Sequence, residues 1–325
     1  MKAFLTGGTG FIGSRVVTRL AEAGHDLRCL VRSTPSAGPA AGPGIHHIQG
    51  SLSDRAALRE GMAGCDCVIH LAAAYSFWLA NRRTFREVNV DGTRNVMECA
   101  LECGVPKVVM VSTVVTYGHR AEVPVTEETP VGPARFSEYA RTKYEGERIA
   151  WNLHESRGLP LVTVYPGAVL GPCDPKPTGD YIQALICGRM PARILEEATF
   201  PFVHVGDVAT AIVRAAERPG NVGAKYFLVG ENLTFGQINR MISEISNVPL
   251  PAVRLPTPLV VAMAALLTRV AGLTKKPPAW GLSADQVGTM RAGTIFSGAK
   301  AERELGIRYT PIRQAIKEAV ASYRT

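Results

Sequence analysis

Along the first half of the chain, short unbroken apolar runs alternate with stretches in which apolar residues recur every three or four positions. Residues 2–6 read as a buried strand, a glycine-rich turn follows, and residues 11–23 carry a helical period that ends at Gly24. The alternation continues as strand over 27–31, strand over 46–49, helix over 55–62 and strand over 67–71. A long helix over 82–103 closes at Gly104 and Pro106, with strand 107–112, helix 138–156 and strand 161–165 after it. Continuous apolar strands separated by helices require a parallel sheet covered on both faces, so the expected fold class is α/β with a doubly wound sheet over residues 1–170.

Beyond Gly171 the pattern breaks into pieces punctuated by Pro and Gly, beginning with CDPKPTGD and a helix near 181–187. Residues 171–325 are therefore expected to form a smaller, mostly helical substrate-binding region, in which the apolar runs 202–205 and 225–229 are candidates to rejoin the main sheet. The apolar run 259–267 is shorter than the roughly 20 residues a spanning helix needs and reads as a core or lid helix. Because Arg269, Lys275 and Lys276 follow it, a weak membrane-surface contact is the second expectation there.

Composition narrows the class. Of 325 residues, 46% are hydrophobic and 20% charged, which argues against a disordered, collagenous or disulfide-scaffold chain. The net charge of +8 first suggests a polyanionic partner, but 11 basic and only 4 acidic residues lie from Arg254 onward, so nearly the whole excess sits at the C-terminal end. No recognisable module interleaves those charges with aromatics, so nucleic acid is not expected as a partner. Seven cysteines spread over the chain, without His at zinc-like spacing, read as buried free thiols with no metal. The N-terminal MKAFLTGGTGFIG reads as a strand and turn, not as a secretory signal, and the expected location is cytoplasmic.

TGGTGFIG sets Gly7, Gly10 and Gly13 between a strand and a helix. Such a turn needs glycine for a sharp bend, for close approach of backbone to a pyrophosphate and for tight seating of the helix, whose N-terminus then offers N–H groups to the phosphates. Dinucleotide binding is expected. The end of the second strand usually supplies an acid for the adenosine ribose in NAD binders, whereas this chain has Arg32 followed by Ser33. A guanidinium suits a 2′-phosphate, so NADP is expected, with NAD as the alternative.

In SEYARTKYEGER, Tyr139 and Lys143 stand four residues apart on one helical face, and an ammonium near the phenol would lower its pKa toward acid–base work. Together with HLAA at 70–73, NVDGTRN at 89–95, VSTVVTYG at 111–118, PGAVLGP at 166–172 and FVHVGDVA at 202–209, these segments resemble an extended short-chain dehydrogenase/reductase of the NAD-dependent epimerase/dehydratase family. Within that family the chain is similar to the dihydroflavonol 4-reductase and 3β-hydroxysteroid dehydrogenase types, and to the hopanoid-associated sugar epimerase group.

The resemblance implies a Rossmann-type fold, a homodimer formed through helices 82–103 and 138–156, and a catalytic set of Tyr139 as proton donor or acceptor, Lys143, Thr113 and Asn89, with Ser112 as fallback for Thr113. It also implies cofactor contacts from Phe11, Ile12, Ser51, Leu52, Leu71, Ala72 and Pro166, beside the glycines and Arg32. Asp54 lies beyond the usual adenine-side acid position, held here by Ser51, and His204 and Asp207 read as structural. Tyr75 and Phe77, with Trp78 beside them, fall where the family places a substrate-facing loop, and Tyr165 stands where nucleotide-sugar members commonly carry asparagine. The expected activity is NAD(P)H-dependent reduction of a ketone, or oxidation of the corresponding alcohol, on a hydrophobic small molecule. The alternatives are a nucleotide-sugar epimerase or dehydratase and a non-catalytic dinucleotide sensor.

Overall fold

The computed structural model describes residues 1–33, 42, 44–118 and 124–324. Its main sheet has seven parallel strands: β1 (Lys2–Thr6), β2 (Asp26–Val31), β3 (Ile45–Gln49), β4 (Cys67–His70), β5 (Val108–Val111), β6 (Leu161–Pro166) and, after an excursion, β9 (Lys225–Leu228), in the order β3-β2-β1-β4-β5-β6-β9. A second sheet of three strands is built from β7 (Ala168–Leu170), β8 (Thr199–His204) and β10 (Glu231–Thr234).

Alternation along β1 shows why both faces are covered. Ala3 and Leu5 face one apolar cluster together with Val16, Val17 and Leu20 of α1 (Phe11–Glu22). Phe4 faces the other, with Leu58 and Met62 of α2 (Arg55–Met62). The second face is completed by α4 (Thr93–Glu102) and α5 (Glu138–Arg157), and the first by α7 (Val205–Glu217), which packs along α1. Val16, Val17 and Leu20 have no exposed surface, and burying such side chains contributes about 1.5–3 kcal/mol each. Helix α1 stops where Gly24 turns left-handed at φ +75°.

The predicted long helix over 82–103 is interrupted. It begins as α3 (Arg83–Arg86), widens into a π-turn over Glu87–Gly92 and continues as α4. Helix α6 (Pro177–Ile186) starts before the predicted 181, because Pro177 is pre-set for the first turn. The C-terminal part adds α8 (Phe235–Ser246), α9 (Thr257–Thr274), α10 (Ala284–Arg291), α11 (Ala299–Leu305) and α12 (Ile312–Ser322).

Two expectations are corrected. The run around 202–205 does not join the main sheet: β8 pairs in parallel with β7 and antiparallel with β10. Only the 225–229 run does so, as β9 beside β6. Helix α9 is not a core helix: it is largely exposed, with only Val260, Ala264 and Ala271 buried, because a single narrow stripe meets the body.

Candidate active site

The turn between β1 and α1 folds on itself, with Gly10 N donating to Gly7 O at 3.0 Å. Gly7 has φ +76°, and a Cβ there would lie 2.7 Å from Ala72 N. A Cβ on Gly13 would lie 2.0 Å from Gly7 O, so neither position admits a side chain. This tight backbone sits where β1 separates β2 from β4, the switch point at which doubly wound sheets bind ligands. A cleft of about 900 Å³ opens above it, lined by Gly7, Gly10, Phe11, Ile12, Gly13, Arg32, Ser51, Leu52, Leu71, Ala72 and Pro166. A backbone cradle at the start of α1, with a guanidinium at the rim, fits a dinucleotide.

Helix α5 supplies the chemistry. Ser137 caps it, its Oγ accepting from Ala140 N at 3.2 Å, and Tyr139, Lys143 and Glu147 follow at i, i+4 and i+8 on one buried face. Tyr139 and Lys143 line the cleft with Thr113, whose hydroxyl hydrogen-bonds the Tyr139 phenol. The expected lowering of the phenol pKa is not what this geometry gives. Burial, seconded by neighbouring Tyr75, pushes the Tyr139 pKa up, against the Thr113 bond. The Lys143 ammonium donates to Val111 O at 2.8 Å. Tyr139 is thus held as a protonated phenol, the form that can give a proton. Burial draws the Lys143 pKa down to about 8, and the carboxylate of Glu147 opposes that fall. Glu147 is itself pushed up by burial, while it accepts from Ser112 Oγ at 2.6 Å and Tyr165 OH at 2.8 Å.

The model of the NAD dependent epimerase/dehydratase family matches residues 3–230. The chain belongs to that family. It is 31% identical to a protein named as a dihydroflavonol 4-reductase from Synechocystis sp., over 98% of this chain and 93% of that protein. It is 30% identical to sterol demethylase protein B of Methylococcus capsulatus, over 100% of this chain and 98% of that protein. The crystal structure of gox2253 superposes with a TM-score of 0.85 at 36% identity, covering 99% of this chain and 97% of the other. This member of the epimerase/dehydratase family is an oxidoreductase with a nicotinamide-dinucleotide fold.

In this family member the remaining predicted residues divide clearly. Asn89 does not line the cleft. Carried on the π-turn, it accepts from Ala74 N at 2.8 Å and donates to Ala74 O at 3.2 Å and Thr142 Oγ1 at 3.1 Å, which fixes the loop after β4. That loop holds Tyr75 and Phe77 in the cleft wall, with the Tyr75 ring centred 4.9 Å from that of Tyr139. Ser112 is not interchangeable with Thr113, since its hydroxyl is engaged by Glu147. Tyr165 must be corrected: it is fully buried, outside the cleft, packed edge-on to Tyr117 and Phe227 and bonded to Glu147, because its β6 position points away from the mouth. Asp54 caps α2, accepting from Ala57 N at 3.0 Å. His204 bonds Glu318 at 3.0 Å and Asp207 accepts from Thr310 N at 2.7 Å, both at a distance from the cleft.

Sequence reasoning missed the far wall of the cleft, made by Asp174, Tyr181, Phe200, Phe235, Ile238 and Met290. Asp174, whose pKa burial raises to about 6, accepts from Lys176 N and Gly179 N and so folds the loop that leads into α6. Only the CDPKPTGD punctuation hinted at it.

A pH prediction arises here. With its pKa lowered to about 8, Lys143 keeps its charge below that pH and loses it above. The kcat/KM for hydride transfer is therefore expected to hold near neutrality and to fall as pH rises through about 8. In Glu147→Gln the opposing carboxylate is gone, and a pH–rate profile should show the falling limb displaced to lower pH.

Proposed function

We propose that this protein reduces a ketone on a hydrophobic small molecule, with NADPH as the reductant. The observation that carries the proposal is the placement of Tyr139, Lys143 and Thr113 together in a cleft that Phe77, Phe200, Phe235, Ile238 and Met290 also line. A reduced nicotinamide supplies the hydride when bound. Thr113 donates to the carbonyl oxygen as negative charge grows on it, Tyr139 gives that oxygen its proton, and Lys143 brings a positive charge beside the developing phenolate. Tyr75 and Phe77 cover the reacting face and exclude water. Phe200, Phe202, Phe235, Ile238 and Met290 give the cleft an extended apolar surface suited to a hydrophobic substrate, which favours the ketone reading over epimerisation. Purified enzyme mixed with NADPH and a panel of hydrophobic ketones should consume the reduced nicotinamide. Tightly co-purifying NAD together with turnover of a sugar nucleotide, and none of ketones, would overturn the proposal.

The choice of NADPH over NADH rests on Arg32, which lies at the rim of the cleft with no acid on the adjoining strand end. Arg32→Ala should raise the KM for NADPH by about 10–100-fold, the worth of a charged hydrogen-bonded pair, and leave the KM for NADH within about twofold. The proposal includes a cytoplasmic site, in keeping with seven free cysteines, and a homodimer through α4 and α5, for which light scattering is the check.

A further inference from the structure

Helix α9 is, among the described residues, one helix long and apolar enough by length and composition to cross a membrane, yet only 17% of it is buried. Its outward stripe runs Leu259, Ala262, Leu266, Val270 and Leu273, at the i, i+3, i+7, i+11, i+14 spacing of a single face. Leu266 is 62% and Leu273 86% exposed, and Trp280, in the turn that follows, is 61% exposed. A stripe of this kind over about 27 Å of helix is far more apolar than a water-facing surface needs to be.

The charge around it has one sign. Residues 255–284 contain Arg269, Lys275 and Lys276 and no acid. All three are exposed, and none forms an ion pair with the described residues, whereas nearby Arg254 is already paired with Glu196 and Glu197. Aliphatic side chains, a tryptophan at the helix end and unpaired cations are the combination that settles in the headgroup layer of an anionic bilayer. A second copy complements this face less well than an anionic surface does, because the same face on the partner carries only positive charge as well. The opposite stripe of α9 packs on the body through Val260 and Ala264, in one cluster with Leu282 and Val287, which suits a helix lying on a surface rather than one spanning a bilayer.

We propose that α9 and the turn through Trp280 dock the protein on an anionic lipid surface, the helix lying in the plane of the interface. This face is one side-chain layer from the cleft: Met290 and Phe235 line the cleft and also belong to the cluster that seats α9. The docking does not depend on the ketone reading.

Co-sedimentation of the full chain with vesicles tests the proposal. Phosphatidylcholine vesicles containing phosphatidylglycerol should carry the protein down, pure phosphatidylcholine much less, and high salt should weaken the binding. Leu266→Glu with Leu273→Glu should weaken partition by about tenfold or more while keeping the wild-type melting temperature. If that variant fails to fold, Lys275→Glu with Lys276→Glu serves instead, with a loss of about tenfold expected for two reversed charges. Wild-type tryptophan emission should shift to the blue on anionic vesicles, and Trp280→Phe should lose that shift. Absence of vesicle binding, or binding unchanged in both variants, overturns the proposal. So does a wild-type dimer that the leucine variant splits without vesicle binding, which would assign the face to a second copy.

Discussion

Tyr139→Phe is expected to lower kcat/KM for ketone reduction by about 10²–10⁴-fold, the usual worth of a positioned proton donor. The substitution removes one oxygen from a ring that is packed against Tyr75 and almost fully buried, so the cleft keeps its shape. Dinucleotide affinity should stay within about twofold of wild type. What disappears is the proton for the carbonyl oxygen and the partner of the Thr113 hydroxyl. Steady-state kinetics paired with a cofactor titration separates these effects. Retention of full turnover would refute the role of Tyr139 as acid.

Gly13→Ala should act on the other half of the site. The new Cβ would meet Gly7 O at 2.0 Å, a backbone atom held by its bond from Gly10 N, so α1 or the turn must shift. Forcing a methyl into so tight a contact costs about 1–3 kcal/mol, and the displacement falls on the N–H groups that would cradle the pyrophosphate. Fluorescence titration is expected to show NADPH and NADH binding weakened alike, by about 10–100-fold. Gly24→Ala is the matched control. Its Cβ would touch nothing within 4 Å, so only the left-handed φ of +75° is penalised, at about 1–2 kcal/mol of stability, and cofactor affinity should not move.

The cofactor half of the site was legible because its signals are local. Glycines at fixed offsets, an i, i+4 pair on a helix and apolar runs bounded by turns each specify conformation within a few residues. Tyr165 shows where such reasoning stops. Every residue of β6 is buried, so no alternation of polar and apolar residues reveals which side of the strand meets the cleft. The 202–205 run was recognisable as a strand, but its partners lie in β7 and β10 and its apolar character named neither. The far wall was invisible for a similar reason: Asp174, Tyr181, Phe235 and Met290 come from separate loops and helices that only tertiary packing brings together. The fate of Lys143 and Tyr139 was also out of reach, since burial sets their protonation and burial is not written in their spacing.

The position of β9 bears on how the molecule can be divided. It lies beyond residue 171 in the chain, yet it registers Thr163 against Lys225 and Pro166 against Leu228 in the main sheet, and α7 lies over α1. A fragment cut after Gly171 would leave β6 as a bare, uncharged and largely apolar margin and strip one cover from the first helix, the arrangement that invites edge-to-edge aggregation. The cofactor half is thus not a cassette that can be lifted out or grafted. The substrate half and the cofactor half share one hydrogen-bonded sheet, so neither can unfold without exposing the edge of the other.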